Sequence, residues 1–491
     1  MGLFLWTALF VFRILNGLLI KTYFDPDEYW QSIEVAHQYV FGYGYLTWEW
    51  RVGLRSWLTV LPYILMFKTL KAFNLDSNNT LFINAPKVFA ALIAASIDYF
   101  TYLLAQKFYK DKSLARHALI FSLFNWFAIA YYPRMLSNNL ETLLTAIAAY
   151  FWPSKDLKRY SLALLFVGLA VLARPSAISH WLFPAILLFI SSKSRVKILS
   201  LSISLAMLII VFGALVDRLF YGRWVLPWLN FLRINFIDNV SIFYGRSSWH
   251  FHLTQSLPLL ALTMLPLIMV ALWHKQANPW TLQFLAGSLF LNSLFAHKEW
   301  RFLLPLLPFL LITAAKGYKL LKLSSFTRSL FLAFIVFSNL SLGFYAIQRH
   351  QRGVIDVIDY LRTSFDNGRV SGILFSMPCH STPFYGYLHR TVPMDFVTCE
   401  PPLDSREQFV AGQYLDESDL FYANPSTALR TRLLQKKYSH LVFFEVFLDP
   451  DVKIVLSELG YSQTASFFNA DVAVDHRRAG KVLLYYNKIA K

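Results

Sequence analysis

The sequence predicts an all-α polytopic membrane bundle of about eleven transmembrane helices followed by a small α/β domain, and three observations predict it. Of the 491 residues, 56% are apolar and 17% aromatic. Only 15% are charged, against roughly 25% in ordinary soluble domains, and the mean hydropathy is +0.43. Apolar runs long enough, or nearly so, to cross a hydrocarbon core of about 30 Å recur through the first 349 residues. A soluble enzyme is thereby excluded.

The runs lie near 3–20, 83–106, 115–132, 139–152, 160–173, 178–192, 198–218, 255–273, 280–296, 302–320 and 327–346. Three of them (139–152, 160–173 and 178–192) are short, which fits tilted or broken helices packed inside a bundle. Asp98 falls inside a span and is expected to have a cationic partner such as Arg174.

The formal net charge of +17 would suggest a nucleic-acid partner in a soluble chain, but its distribution argues against one. Residues 350–491 hold 15 basic and 16 acidic side chains, leaving 31 and 13 in the apolar part. The excess concentrates in loops 107–116, 155–159, 193–197, 274–275 and 316–328, and short Lys/Arg-rich loops stay cytoplasmic. Every second loop is then cytoplasmic, as is the N-terminus, and 350–491 is luminal. The stretch 57–67 is too short to span and would break that parity, so it reads as an interfacial helix. The expected domains are a transmembrane module over 1–349, with 22–82 as its first luminal loop, and a luminal α/β domain over 350–491.

In the luminal tail, β-type runs fall at 372–376, 440–447 and 481–486, with a helical stretch at 425–436. Cys379 and Cys399 are the only cysteines and both lie there. An oxidising lumen favours one disulfide between them; two buried free thiols are the alternative.

Five of the thirteen acids before residue 350 sit in the first fifty residues: Asp25, Asp27, Glu28, Glu34 and Glu49. Pro26 suits the first turn of a helix with Asp25 as its N-cap, so capping and dipole compensation form one reading of this cluster. The other is chemical. Tyr23, Phe24, Tyr29 and Trp30 surround the acids, and an apolar setting raises carboxylate basicity, which a general base needs. Gln31, Glu34 and His37 or Gln38 continue a polar stripe down the same helix.

The following segment, rich in aromatic groups around Trp48, Glu49 and Trp50, reads either as a membrane-interface belt or as a platform for sugar rings. Further luminal clusters hold Arg134, and Tyr244 with Trp249 and His250. His297-Lys-Glu-Trp-Arg-Phe302 flanks the luminal end of a span with four ionisable groups, where charge is costly unless paired or used. A structural ion-pair network, or snorkelling, is the alternative to a functional site there. The chain has no Walker loop, dinucleotide glycine fingerprint, zinc spacing or HExxH.

Phe24-Asp-Pro-Asp-Glu-Tyr-Trp-Gln31, followed by Gly44-Tyr-Leu-Thr-Trp-Glu-Trp50 and His297-Lys-Glu-Trp-Arg-Phe302, resembles the signature of glycosyltransferase family 22. These are dolichol-phosphate-mannose-dependent mannosyltransferases of the GT-C fold. Asp25 stands where that motif carries His or Asn. Thr47-Trp-Glu-Trp50, Tyr244-Gly with Trp249-His, Met377-Pro-Cys-His-Ser-Thr-Pro383 and Asp475-His-Arg-Arg-Ala-Gly480 are most similar to the branch that adds the third mannose to the glycosylphosphatidylinositol (GPI) precursor.

The resemblance implies an endoplasmic-reticulum enzyme that moves mannose from dolichol-phosphate-mannose to a mannosylated GPI precursor, inverting the anomeric centre to give an α-1,2 bond. Asp27 is the implied base, with Glu28 close behind. His297, Lys298 and Arg301 are candidates for the donor phosphate, and Trp48, Glu49, Trp50, Arg134, Tyr244, Trp249 and His250 for acceptor or sugar contacts. No cofactor and no metal are needed, although the Asp25/Asp27 pair keeps a metal open. Rival readings are a family-22 enzyme of N-glycan lipid-linked oligosaccharide assembly, a polytopic lipid transporter or flippase, and a non-catalytic scaffold.

Overall fold

The computed structural model describes residues 2–152, 156–366, 368, 370–403, 414–473 and 475–487. Lys155 of the basic loop 155–159 and the terminal Lys491 lie outside the described residues. Contacts group the chain into two compact units. The first comprises Met1–Leu19, Glu49–Pro62 and Asn84–Phe344; the second comprises Ile20–Trp48, Tyr63–Ile83 and Tyr345–Lys491. The loop segments 20–48 and 63–83 thus take their contacts from the unit that holds the C-terminal part.

The first unit is helical throughout. Each of the eleven apolar runs forms helix, and five helical stretches among the described residues are long and apolar enough to cross a membrane: Asn79–Tyr109, Arg195–Tyr221, His252–Trp273, Trp300–Leu320 and Ser325–Phe365. Shorter apolar helices include Gly2–Leu18 and Pro175–Ser191. Breaks have local causes. Asn125 ends Lys112–Phe124 and starts Trp126–Tyr131, because its side chain accepts from the Ala128 N–H and donates to the Leu260 carbonyl (2.8 Å).

The expected partner of Asp98 is corrected. Its carboxylate accepts from Arg13 of the first helix through Nε (2.6 Å) and Nη2 (2.9 Å), and from the Ser122 hydroxyl (2.6 Å). Arg13 spends its remaining donors on the Ser122 and Ala128 carbonyls and the Asn16 side chain. Arg174 pairs with Glu141 instead. Nothing along the sequence distinguishes Arg13 from Arg174 as the partner; in the fold both residues of the Arg13–Asp98 pair are fully buried.

The second unit carries a five-stranded mixed sheet of order β2-β1-β3-β5-β4. Its strands are β1 (Ile373–Phe375), β2 (Met394–Phe396), β3 (His440–Phe444), β4 (Ser462–Phe467) and β5 (Val482–Tyr486). β1 runs parallel to β2 and β3, and β5 runs antiparallel to β3 and β4. The helices Pro425–Gln435 and Pro450–Glu458 pack on it over a core that includes Leu374, Leu429, Leu441, Phe443, Val452 and Leu456. Three strands match the apolar runs of the sequence. β4 carries Ser, Gln and Thr on an exposed edge, and β2 has the charged Asp395 at its centre, so neither gives an apolar signal.

Cys379 and Cys399 are disulfide-bonded, with 5.7 Å between Cα atoms. The bond closes a 20-residue separation that leads into and out of β2. Loop-closure entropy of that size is worth about 3 kcal/mol. The Cys379→Ser/Cys399→Ser variant is expected to melt several degrees below wild type in detergent, whereas an unchanged melting temperature would show that the bond does not hold this unit together.

Candidate active site

The acidic motif opens a helix in the second unit. Pro26 has no N–H to lose at a first turn, and the Asp25 side chain accepts from the Asp27 N–H (3.0 Å), so Asp25 is the capping residue. Asp27 is therefore not the cap; it is half-buried, while Glu28 is only 2% exposed. The chain then makes a π-helical turn over Tyr29–Ile33, a distortion common at functional sites.

Aromatic groups fix this turn against the C-terminal part of the same unit. Trp30 donates Nε1–H to the Thr382 carbonyl (2.9 Å) and stacks on Phe384, with His380 at 4.3 Å. Tyr23 stacks on Tyr29 and donates its hydroxyl to the His380 carbonyl (2.6 Å). The Met377-Pro-Cys-His-Ser-Thr-Pro383 motif is thus the wall on which the acidic motif rests. Burial pushes the His380 imidazole down to about 4, partly offset by the nearby Asp27 carboxylate.

One helical turn on, the polar stripe has a structural use. Buried Glu34 accepts from the Tyr45 N–H (2.9 Å) and the Gly386 N–H (2.6 Å), and a Cβ on Gly386 would approach the Glu34 backbone to 3.1 Å. Burial pushes the Glu34 carboxyl up to about 7 against those N–H groups. His37 donates Nδ1–H to the Tyr43 carbonyl (3.0 Å), which leaves Nε2 to accept from His389 Nδ1–H (2.9 Å). Asp76 lies 3.9 Å from the far nitrogen of His389.

Burial pushes His37 down to about 3, and His389 and His440 to about 4, so with His380 four imidazoles of this unit are held neutral. The unfolded chain takes up these protons near pH 6.5 and the folded one near 3 to 4. The unfolded state therefore binds more protons below pH 6.5, and stability is full above that pH and lost on acidification, at up to about 1.4 kcal/mol per pH unit per histidine. Glu34 works in the opposite sense between about 4.5 and 7, and Asp416, which burial also raises, does the same, but they are two groups against four. The melting temperature is expected to fall steadily from pH 7 to pH 5; a flat or rising profile contradicts this.

In the first unit, the six-residue basic motif forms an ion-pair network. Glu299 accepts from Arg301 through Nε (2.6 Å) and Nη2 (3.1 Å) and lies 3.0 Å from His297 Nε2. Burial pushes the Glu299 carboxyl up, but Arg301 and His297 outweigh it and hold it well below the usual carboxylate range. Lys298 is buried and donates to the Ser247 (3.1 Å) and Phe295 carbonyls. Burial, together with Arg246, lowers its ammonium below the ordinary lysine value. The network alternative thus describes the contacts of this motif, and a bound phosphate would compete with Glu299 for Arg301.

Tyr244 joins this group, its ring 6.4 Å from that of His297, and the Gly245 carbonyl accepts from His297. Trp249 and His250 follow, both exposed, with Trp249 at 69%. The other expected sugar contacts sit in cores. Trp50 packs against Trp57 at 5.1 Å and Glu49 pairs with Arg55 at 3.7 Å. Arg134 is buried and donates to the Ala130 carbonyl (2.6 Å), and Trp48, in the second unit, is buried too.

Sequence reasoning missed a buried constellation beside the basic motif. Arg174 Nε lies 3.0 Å from Glu141 and its Nη1 donates to Ser137 (3.1 Å), while Glu141 sits 3.6 Å from His180 Nε2. Asn138 of the same helix donates to the Arg301 carbonyl (3.3 Å). Glu141 fell in a polar cluster, but His180 lies in an apolar helix where no spacing signals a partner. Among the described residues, Cys379, His380 and Cys399 form a compact group of metal-ligand types, but its sulfurs are joined to each other and offer no thiolate.

Apolar helices long enough to cross a membrane, with a small mixed sheet among the C-terminal strands, define a polytopic membrane protein. The chain matches the Alg9-like mannosyltransferase family over residues 4–389 and belongs to it. It is 36% identical to GPI mannosyltransferase 3 of Yarrowia lipolytica, over 96% of this chain and 95% of that protein. It is 35% identical to GPI alpha-1,2-mannosyltransferase 3 of Mus musculus, over 97% and 87%. Among solved structures, ArnT from Cupriavidus metallidurans bound to undecaprenyl phosphate shares the fold, with a TM-score of 0.59 at 11% identity, covering 99% of this chain and 98% of that one.

Proposed function

We propose that this chain transfers the third mannose from dolichol-phosphate-mannose to the GPI-anchor precursor, forming an α-1,2 bond in the endoplasmic-reticulum membrane. The observation that carries the reading is near-full-length similarity, 35–36% identical over 96–97% of the chain, to enzymes named for that step. The N-glycan, transporter and scaffold readings have no comparable support.

The chemistry asked of the residues is small. The acceptor 2-hydroxyl oxygen attacks the anomeric carbon opposite the bond to phosphate. Its proton passes to a carboxylate, and the C1–O bond breaks with its electron pair leaving on dolichyl phosphate, so the β donor gives an α product. Asp27 is proposed as the base, on the less buried side of the acidic motif, with Glu28 as the alternative. His297, Lys298 and Arg301 are proposed to offset the phosphate charge. Trp48, Glu49, Trp50, Arg134, Tyr244, Trp249 and His250 remain proposed for acceptor or sugar contacts, and of these Tyr244, Trp249 and His250 have the exposure that a direct contact needs.

The reading places the N-terminus in the cytoplasm and 350–491 in the lumen, and it needs no metal, because a phosphate ester leaves without a Lewis acid. Purified protein given labelled donor and the dimannosyl precursor should yield a product whose label is released by an α-1,2-specific mannosidase, at a rate unchanged by EDTA. Label resistant to that mannosidase contradicts the linkage, and loss of rate on chelation contradicts the metal-free scheme.

A further inference from the structure

The Asp475-His-Arg-Arg-Ala-Gly480 motif is the one sequence feature that the scheme above leaves without a task. Its geometry in the second unit is well defined. Asp475 caps the short turn His476–Arg478 by accepting from the Arg477 N–H (3.0 Å). Arg477 is spent on Asp475 (3.3 Å) and Asp419 (3.4 Å). Gly480 has φ +84°, and a Cβ there would meet Glu445 at 2.7 Å, so glycine is required where the chain turns back toward β5.

Arg478 differs from its neighbour. Its backbone N–H donates to the Asp475 carbonyl (2.9 Å), but among the described residues its side chain has no hydrogen-bond or ion-pair partner. Its Nε is fully buried and unsatisfied, while the residue as a whole is half-buried. Arg478 lines a small cavity of about 10 Å³ with Ser381, Gln351 and Asn469, whose Oδ1 is also buried and unsatisfied. That space admits one water, which would accept from Nε and donate to Asn469, holding the guanidinium plane in place.

An arginine desolvated at one edge and unpaired at the other is costly unless something anionic completes it. The surroundings place it beside the acidic motif. Its charge acts on Tyr23 and on His380, the two groups that also sense Asp25 and Glu28, and Asp27, respectively. Ser381 of the cavity follows His380 directly and carries the chain toward Thr382, on which Trp30 is anchored.

We propose that Arg478 binds a phosphate oxygen of a lipid substrate beside the acidic motif, its two Nη groups forming the fork that suits a phosphate ester. The inference rests on the mannosyl-transfer reading, which supplies two sources of that chemistry: the lipid phosphate of the donor and the inositol phosphodiester of the acceptor. Arg478 adds the positive charge that lets an anionic lipid approach a segment holding Asp25, Asp27 and Glu28.

The test is binding, read apart from turnover. Full-length protein in detergent is melted with and without dolichyl phosphate, and with and without the dimannosyl precursor, for wild type, Arg478→Met and Arg478→Lys. One of the two lipids is expected to raise the wild-type melting temperature with an affinity that falls at least tenfold in Arg478→Met and two- to fivefold in Arg478→Lys. The lipid affected identifies the source. Equal affinities in all three proteins, or no stabilisation of wild type by either lipid, overturn the proposal. If Arg478→Met does not accumulate, Arg478→Lys decides alone, wild-type affinity for both lipids being the contrary result. A wild type that binds a lipid through Arg478 yet transfers no mannose would instead count against the function proposed above.

Discussion

Asp27→Asn is expected to insert normally, keep its affinity for the lipid donor and transfer mannose 10²–10⁴-fold more slowly, about 3–5 kcal/mol in the barrier. The structure sharpens the contrast with a helix-capping role, because the cap is made by the Asp25 side chain and only the backbone N–H of Asp27 takes part. Losing a first-turn charge costs about 1 kcal/mol of stability, with no reason for turnover to fall at equal abundance. Asn keeps the shape of the side chain and removes its proton affinity. Glu28→Gln is the partner measurement: the Glu28 side chain is buried, and it is expected to slow transfer far less. If Asp27→Asn stays within a few-fold of wild type while Glu28→Gln loses activity, the base is Glu28. If both stay active, the base lies elsewhere.

Asp98→Ala is expected to have the largest effect on stability, about 3–5 kcal/mol, because it leaves Arg13 buried without its counter-charge in an apolar helix bundle. The Ser122 hydroxyl loses its acceptor at the same time. Such a loss is a large part of the stability of an ordinary domain, so the variant should accumulate poorly and melt well below wild type. Arg13→Met/Asp98→Leu removes both charges together and should recover most of the loss, since an apolar pair of similar volume repays the missing attraction. A single Asp98→Ala with a wild-type melting temperature would show that the pair adds nothing net.

The membrane class, the helical runs and the tail's sheet were legible because they are written in composition and period, which survive without knowledge of contacts. So was the disulfide, since two cysteines in one C-terminal segment leave one pairing. Partners were not legible where they come from distant elements. Asp98 could be seen to need a cation, but nothing along the chain distinguishes Arg13 from Arg174. Glu34 and His37 showed as a polar stripe beside the acids, and only the fold reveals that they tie backbone N–H groups and His389 into place. Trp48 and Trp50 were conspicuous as aromatic groups in a polar-rich loop, yet both are core side chains, because interface belts and buried packing draw on the same residue types. Arg478 gave no signal of its own: a basic pair in a tail looks solvated until one of the two is seen turned inward.

The most direct measurement is to incubate membranes containing this protein with labelled dolichol-phosphate-mannose, alongside membranes lacking it, and identify the glycolipid that acquires label. The account predicts that label appears in a GPI precursor extended from two mannoses to three, and only where the protein is present. Label in a lipid-linked N-glycan precursor, or no protein-dependent transfer to any GPI intermediate, would contradict it.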